Sequence, residues 1–392
     1  PVTRPIGTGE PVPEPIPEPK PERPAVPSNS KTRELLNEND FQMNYNWSLK
    51  ETIFTKNKGT VFSCFSCGGG STMGYKLAGF DVIGCNEIDK NLMDCYIINH
   101  NPKYPYCESI QEFKKRNDLP IELYNLDILD GSPPCSSFTT NGKREKNWGK
   151  SKKFREGQKE QILDRLFFDF IDLAEKLQPK IVVAENVKGL LQGAAINYVR
   201  EIYECFDKAG YYCQHFLLNA IKMGVPQERE RVFFICLRKD LSDKFLYQKN
   251  MFAMLPYIEM NFNEKPILFS QIKTNEIQYP LNETFLTYLS YAKPTDPDMR
   301  KAIKRMKGKE SLFSYRFIHD DKPLWTLTSG KRLIVFNEKR YLNDLEIIRG
   351  GSFPTDYNFN GNSINYIVGM SVPPIMMAKI ALQIYEQWLS KL

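Results

Sequence analysis

Four side chains capable of acid–base or nucleophilic chemistry stand next to predicted buried strands. Glu87 and Glu185 each follow a short apolar run, Cys135 follows two prolines, and Arg231 begins another apolar run. A thiolate is a nucleophile, and a carboxyl group can hold or donate a proton beside it. Taken singly, Cys135 is equally well explained as an inert buried thiol, and Glu185 as a solvated loop acid or a helix cap.

A glycine-rich turn precedes the first of these residues. Gly68, Gly69 and Gly70 follow the apolar run 60–65, and Glu87 lies 19 residues beyond Gly68. Glycines let the backbone approach a ligand closely, and an acid about 20 residues after such a turn can bind ribose hydroxyls. A tight strand-to-helix turn with a surface glutamate would explain the same residues.

Short apolar runs alternate with helical patterns from residue 59 onward, which predicts an α/β fold with a parallel sheet covered by helices. The predicted strands are residues 60–65, 81–85, 126–129, 181–184 and 231–237, and the predicted helices are 70–78, 162–174 and 374–392. In such a sheet, ligands bind beyond the carboxyl ends of the strands, where the glycine turn, the two glutamates and the cysteine fall.

A second basic position precedes Arg231 at a spacing of two residues. Gln227, Arg229 and Arg231 alternate along the chain, so their side chains are expected on one face. A basic strand edge would give the same pattern.

The order of these features is more specific than any one of them, and the chain resembles the bacterial and phage DNA (cytosine-5)-methyltransferases. In order, the chain resembles the family's first cofactor motif, second motif, nucleophile loop, ENV motif, QxRxR motif, the motif closing the target-recognition region, and last motif. The segments concerned are 65–80, 86–89, 131–138, 185–191, 227–231, 340–354 and 369–373. Three residues depart from the family pattern on the cofactor side: Cys67 replaces a glycine, Ser109 an aspartate and Met370 an asparagine.

The resemblance implies a Rossmann-like sheet that binds S-adenosyl-L-methionine (AdoMet), with a second, smaller target-recognition domain. The expected organisation is a proline-rich tail over 1–45, a catalytic domain over 46–238, target recognition over 239–356, and a C-terminal segment, 357–392, that returns to the catalytic domain. Ten of the 26 prolines lie in the first 27 residues, which fits an extended tail.

The resemblance also implies residue roles. Cys135 would add to C6 of a flipped-out cytosine, Glu185 would bind and protonate N3, Arg231 would bind O2, and Arg229 would buttress that side. Phe65 would pack on the adenine and Glu87 would bind the ribose. The full set of expected cofactor-binding residues is Phe65, Ser66, Gly68, Gly69, Glu87, Ile88, Ser109, Ile110, Pro134, Leu166, Ser371 and Val372.

A basic segment follows the nucleophile loop. Residues 142–160 hold eight lysines and arginines against three glutamates, a local balance of +5 in a chain of net charge +6. We expect this segment to close on the DNA backbone, although a solvated basic loop is the simpler alternative. The expected DNA-binding residues are Ser136, Lys143, Arg144, Lys150, Lys152, Lys153 and Gln227.

Composition narrows the remaining possibilities. We expect no membrane span, since no apolar run approaches about 18 residues, and no metal site, since the pair Cys64 and Cys67 has no second pair or nearby histidine. Nine cysteines without a disulfide framework favour a reducing cytoplasm, which the resemblance implies is bacterial.

The expected partner is double-stranded DNA, with the protein a monomer and a linked restriction endonuclease possible. An RNA (tRNA) methyltransferase and a catalytically silent DNA-binding paralogue remain alternatives, whereas a dinucleotide dehydrogenase would leave Cys135 without a use.

Overall fold

The apolar runs and helical patterns of the sequence correspond to one large sheet and the helices that cover it. A computed structural model describes residues 44–134, 165–193, 195–250, 253–309, 315–330 and 332–392. Cys135, Ser136 and the basic segment 142–160 lie outside these ranges, so the predictions made for them stay predictions. The described residues belong to a single compact unit, 43–392, and the expected domain boundaries also stay predictions.

The elements are numbered in chain order. The strands are β1 (Thr60–Cys64), β2 (Asp81–Asn86), β3 (Tyr104–Tyr106), β4 (Ile128–Gly131), β5 (Ile181–Val187), β6 (Tyr211–Asn219), β7 (Gln227–Glu228), β8 (Glu230–Arg238), β9 (Leu246–Asn250), β10 (Ala253–Pro256), β11 (Arg316–Ile318), β12 (Leu324–Trp325), β13 (Leu333–Val335) and β14 (Arg340–Tyr341). The α-helices are α1 (Gly70–Leu77), α2 (Lys90–His100), α3 (Ile110–Phe113), α4 (Leu166–Leu177), α5 (Ala195–Lys208), α6 (Phe269–Ile272), α7 (Glu283–Ser290), α8 (Met299–Lys307), α9 (Asp344–Gly350), α10 (Ile364–Met370) and α11 (Pro374–Gln387). The 3₁₀ helices are Ile121–Asn125, Lys188–Leu191, Ala220–Lys222, Lys239–Leu241, Asp243–Phe245 and Leu389–Lys391.

The central sheet has seven strands in the order β3-β2-β1-β4-β5-β8-β6, which confirms the α/β class and the Rossmann-like sheet. Strands β3, β2, β1, β4 and β5 are parallel, as the alternation with helices predicts. Strand β8 runs antiparallel to both β5 and β6, which the sequence pattern did not indicate. The chain passes from β6 to β8 through a short connection that includes β7, without the crossover helix that parallel strands need.

The direction of chain winding reverses between β1 and β4. From β1 the chain moves outward to β2 and β3, and β4 then returns to the other side of β1 and continues to β5. A crevice forms beyond the carboxyl ends of the strands at such a reversal, and ligands of open α/β sheets bind there.

Both faces of the sheet are buried. One face carries α3, α4 and α5, whose apolar residues form a core with β1, β4 and β5. The other face carries α1 and α11. A Cβ added to Gly74 of α1 would lie 2.5 Å from Met377 Cβ of α11, so these helices pack at a distance that only glycine allows.

Among the described residues, one stretch, Ile364–Lys391, is long and apolar enough to cross a membrane, judged by length and composition alone. Within it, 78% of the most apolar window is buried inside the protein, as expected of a core helix that covers a sheet.

A smaller sheet follows the central one along the chain. Strands β11 and β13 pair in parallel and β14 pairs antiparallel to β13, with α7 and α8 packed nearby around a small apolar core. The guanidinium of Arg340 is fully buried and donates to both carboxylate oxygens of Glu346, at 2.7 and 2.8 Å. Glu346 also caps α9 together with Asn343, so this segment is fixed by a buried ion pair.

Candidate active site

A small cavity, open to solvent, lies at the chain reversal, beyond the ends of β1 and β4. Of the expected cofactor-binding residues, Phe65, Ser66, Ser371 and Val372 line it. The complete lining is Ser63, Cys64, Phe65, Ser66, Cys67, Gly70, Ser71, Ser132, Met370, Ser371 and Val372. Segments far apart in sequence therefore form one site, with the last motif closing a crevice that the first motif opens.

The turn after β1 has an unusual backbone. Phe65, Cys67 and Gly69 have positive φ angles of 53°, 48° and 78°. Left-handed backbone of this kind favours glycine, which gives a physical reason for the glycine of the family pattern at the position that Cys67 occupies here. A Cβ on Gly69 would lie 2.2 Å from His100 Nε2, so glycine is required there by space as well.

Glu87 holds this turn in place. Its Oε2 accepts a hydrogen bond from the backbone N–H of Cys67 at 2.9 Å, and its Oε1 accepts one from Asp89 N–H at 2.9 Å. The side chain is buried, and desolvation raises the pKa of its carboxyl. The structure thus assigns Glu87 a role in shaping the turn, and the ribose contact stays a prediction.

Two buried hydroxyls in the cavity lack partners among the described residues. Ser66 Oγ and Ser371 Oγ make no hydrogen bond there, although each is almost fully buried. An unsatisfied buried polar atom costs about 1–3 kcal/mol, and a ligand with donor and acceptor groups would remove that cost. The cavity therefore fits a polar ligand.

Several expected cofactor residues do not line the cavity. Ile110 and Leu166 are core residues, 2% and 1% exposed, and pack with the apolar face of the sheet, which gives them a packing role instead of the expected contact. Ser109 caps α3, with its Oγ accepting from Glu112 N–H at 3.2 Å. Gly68, Ile88 and Pro134 are not among the lining residues, and their cofactor contacts stay predictions.

Glu185 and Arg231 form an ion pair, with 2.9 Å between Arg231 Nε and Glu185 Oε1. The antiparallel register of β5 and β8 sets Val187 opposite Arg231, so the glutamate two residues earlier shares a face with the arginine. The two side chains retain 12% and 16% exposure, and burial lowers the pKa of the Arg231 guanidinium. The structure thus brings together two of the four expected catalytic residues.

Arg229 has a different environment. Its guanidinium is 1% exposed and donates to the backbone carbonyls of Leu327, Gly369 and Ser371, at 3.1, 3.0 and 2.9 Å. These bonds tie the segment after β12 to the last motif beside the cavity. In this arrangement Arg229 positions backbone segments, which is compatible with the expected buttressing role, and a part in catalysis stays a prediction.

Gln227 also lies inside the protein. The side chain is fully buried, its Nε2 donates to Gly350 O at 2.8 Å, and its Oε1 accepts from Leu327 N–H at 3.0 Å. Both ends of the amide are therefore bonded within the protein. In this structure the residue joins β7 to α9 and to the segment after β12, and the DNA contact stays a prediction.

Two features of the site were missed by sequence reasoning. Asn186, 3% exposed, donates from Nδ2 to Pro133 O at 3.2 Å and so ties the end of β5 to the loop after β4. Its place in the ENV motif was the available signal. Beneath the cavity, Ser63 Oγ donates a hydrogen bond to Asp130 Oδ2 at 2.8 Å. The sequence gave no signal for this pair, because each residue resembles an ordinary strand residue.

A family model for C-5 cytosine-specific DNA methylases matches residues 59–386. Because the match covers most of the chain, this protein belongs to that family, and the resemblance is confirmed.

Relatives with known names include type II methyltransferases. The chain is 37% identical to M.FnuDI of Fusobacterium nucleatum over 185 residues, covering 46% of this chain and 48% of the relative. It is 35% identical to M.NgoPII of Neisseria gonorrhoeae over 195 residues, covering 50% and 52%. The match thus spans about half the length of these two relatives. M1.HphI of Haemophilus parahaemolyticus is 27% identical over 335 residues, covering 82% and 85%.

Solved structures share the fold. A DNA modification methyltransferase encoded within an E. coli prophage superposes with a TM-score of 0.56 at 21% identity, over 84% of this chain and 99% of the other. A DNMT2 mutant of Spodoptera frugiperda gives 0.57 at 17% identity, over 82% and 98%. At these identities the likeness shows the fold alone.

Proposed function

We propose that this protein transfers a methyl group from AdoMet to C5 of a cytosine within a specific sequence of double-stranded DNA. Membership of the C-5 cytosine-specific DNA methylase family supports the reaction class. The single observation that supports the chemistry best is the ion pair of Glu185 and Arg231 at the end of β5, which Asn186 ties to the loop leading into Cys135.

Cytosine C5 is a poor nucleophile and must be activated first. In the proposed reaction the Cys135 thiolate adds to C6, forming the S–C6 bond and moving electron density to C5. Glu185 donates a proton to N3 as the thiolate adds, which prevents negative charge from building up on the ring. After C5 is methylated, a base removes the C5 proton, and the electrons of that C–H bond form the C5–C6 double bond. The S–C6 bond breaks to release the Cys135 thiolate, and the N3 proton returns to Glu185.

The observed geometry suits Glu185 and Arg231 to this task. Arg231 uses Nε for Glu185 and one Nη for the backbone carbonyl of Glu230, at 2.8 Å. Within the described ranges its other Nη and Glu185 Oε2 have no hydrogen-bond partner, so a donor for O2 and a group for N3 lie side by side. A base in a duplex cannot reach them, so the target cytosine must flip out of the stack.

AdoMet fits the cavity at the chain reversal. When bound, it supplies an electrophilic methyl group. Phe65 would pack on its adenine, the backbone of the turn that Glu87 holds would approach it, and the unpartnered hydroxyls of Ser66 and Ser371 would bond to its polar atoms.

Sequence recognition is proposed for residues 239–356, because a reader of DNA needs a surface separate from the catalytic sheet. Because the expected substrate is the bacterial chromosome, we propose that the protein acts in the cytoplasm. We also propose that it is a monomer, with or without a linked endonuclease. Exchanging 239–356 for the same region of a relative should change which sequence is methylated while transfer continues. A chimera that is active on the original site would place recognition elsewhere.

Trapping and sequencing test the proposal together. DNA containing 5-fluorocytosine should form a stable covalent adduct with the protein. Its C5 carries fluorine in place of the hydrogen that a base must remove, so the elimination that would free the protein is blocked. Cys135→Ala should form none, whereas Cys205→Ala, which changes a half-buried thiol of α5, should react normally. Bisulfite sequencing of DNA from expressing cells should show methylated cytosines in one sequence context. An adduct with Cys135→Ala, or methylation of tRNA but not DNA, would refute the proposal.

A further inference from the structure

A carboxyl group lies buried beneath the cavity without a basic partner. Asp130 of β4 is 1% exposed, its Oδ2 accepts from Ser63 Oγ at 2.8 Å, and its Oδ1 accepts from Tyr75 Oη at 3.3 Å. Ser71 of α1 also lies near this carboxyl and favours its ionised form. Ser63 and Ser71 both line the cavity, so the carboxyl is one hydroxyl away from any ligand bound there.

Among residues 44–134, 165–193 and the later described ranges, no positive charge compensates Asp130. The groups that act on it are Ser63 and Cys64 of β1, Ser71 and Tyr75 of α1, Tyr96 of α2 and Glu185 of β5, all neutral or acidic. Throughout the described part of the chain, no lysine, arginine or histidine forms an ion pair with Asp130. Burial raises the pKa of this carboxyl to about 7, although the hydroxyls of Ser63 and Tyr75 donate to it and favour its ionised form.

The direction of these hydroxyl bonds matters for a ligand. A serine hydroxyl that donates its hydrogen to a carboxylate keeps its lone pairs for another donor. Ser63, which lines the cavity, therefore keeps acceptor lone pairs that a ligand can use, strengthened by the carboxyl behind it. Acceptors backed by a carboxylate suit a cationic group.

We propose that Asp130 is a positioning residue for the cofactor: it orients the Ser63 hydroxyl, at the floor of the cavity, to accept from a positively charged part of AdoMet. Because burial raises the pKa of the Asp130 carboxyl, the arrival of that positive charge should ionise it. This inference rests on the proposed function, because it takes AdoMet as the occupant of the cavity. AdoMet carries two positive groups, the α-ammonium and the sulfonium. Each has the positive charge that the proposal requires near Asp130.

Proton release on cofactor binding tests the role in the unmodified protein. AdoMet is titrated into the full chain at pH 6.5 by calorimetry in two buffers of different ionisation enthalpy. With a pKa of about 7 the carboxyl is roughly three-quarters protonated at this pH, so binding should release about that fraction of a proton. S-adenosyl-L-homocysteine lacks the sulfonium; equal release with it identifies the ammonium, and release with AdoMet only identifies the sulfonium.

Matched variants separate Asp130 from other carboxyls. Asp130→Asn should bind AdoMet at least tenfold more weakly at pH 8, release no proton, and differ little from the parent at pH 5.5, where the parent carboxyl is also neutral. Asp127→Asn changes an acid at the other end of the same strand, bonded to Thr60, and should behave as the parent. Should Asp130→Asn fail to fold, the release measured with the parent and with Ser63→Ala decides the matter, since Ser63→Ala should weaken AdoMet binding and reduce the release.

The outcomes are distinct. AdoMet binding without proton release, or an Asp130→Asn defect of equal size at pH 5.5 and pH 8, would overturn the role of Asp130 and leave the proposed function standing. Failure of the parent to bind AdoMet would contradict the proposed function itself.

Discussion

Replacing Arg229 with methionine separates a positioning role from a catalytic one. The guanidinium lies fully inside the protein and holds three backbone carbonyls, two of which belong to the last motif beside the cavity. Methionine has a similar length but no donor, so Arg229→Met would leave those three acceptors without partners in a site closed to water.

The size of the effect follows from these bonds. One unsatisfied buried acceptor costs about 1–3 kcal/mol, and removing one side of a buried charged network costs about 3–5 kcal/mol. We expect the free energy of unfolding to fall by about 3–5 kcal/mol, measured from urea midpoints at constant slope. The AdoMet affinity should also fall, because Ser371 loses its anchor. Turnover at saturating AdoMet should change little, since Arg229 does not face the base.

Two comparison variants make the test sharp. Arg231→Met, two residues along, should lose most of its turnover with a smaller loss of stability, because its guanidinium is partly exposed and faces Glu185. Arg200→Met, on the exposed face of α5, should leave stability within about 0.5 kcal/mol of the parent. Unchanged stability and AdoMet affinity for Arg229→Met, with turnover abolished, would refute the positioning role and restore the catalytic one.

Three further changes have defined outcomes. Gly74→Ala should reduce the free energy of unfolding by about 1–3 kcal/mol in thermal or urea melts, because its Cβ would lie 2.5 Å from a side chain of α11; an unaffected melt would mean that the helices can separate freely. Without cofactor, the raised pKa of Asp130 means that the native state holds this proton more tightly than the unfolded state. The contribution of the protonated carboxyl to the free energy of unfolding is therefore full below about pH 4 and is lost as the pH rises towards 7, a change of about 4 kcal/mol. This pH dependence should be absent when Asp130→Asn is unfolded with urea at several pH values, and an identical pH profile for the variant would contradict the raised pKa. Neutralising Lys150, Lys152 and Lys153 should lower the slope of log DNA affinity against log salt by about 0.9 for each DNA phosphate that the segment no longer neutralises, and should slow methylation with AdoMet binding intact; equal slopes and turnover would make the segment a solvated loop.

Much of the catalytic sheet was predictable because its signals are local. The apolar runs that became β1, β2, β4 and β5 are short and bounded by turn residues, and their observed limits differ from the predicted ones by only a few residues. The short edge strand β3 was missed because its three residues, Tyr104–Tyr106, include a proline and lack an apolar run. Strand β6 was missed because polar residues such as Gln214 and His215 interrupt its pattern.

The candidate site divides in the same way. The sequence by itself determined the order of the motifs, the glycine turn, and the residue types that cytosine chemistry requires. It also indicated that Gln227, Arg229 and Arg231 share one side of the chain, since alternation is a local property of extended backbone.

Only the tertiary structure decided what covers each of those residues. Gln227 and Arg229 became internal anchors because segments about a hundred residues away pack over them, while Arg231 stayed open beside Glu185 through the antiparallel pairing of β5 with β8. Ser371 and Asp130 likewise gained their places at the cavity from helix and sheet packing. A sequence pattern states which way a side chain points, whereas burial and partners depend on which distant surface fits against it, and that choice is made by the packing of the whole fold.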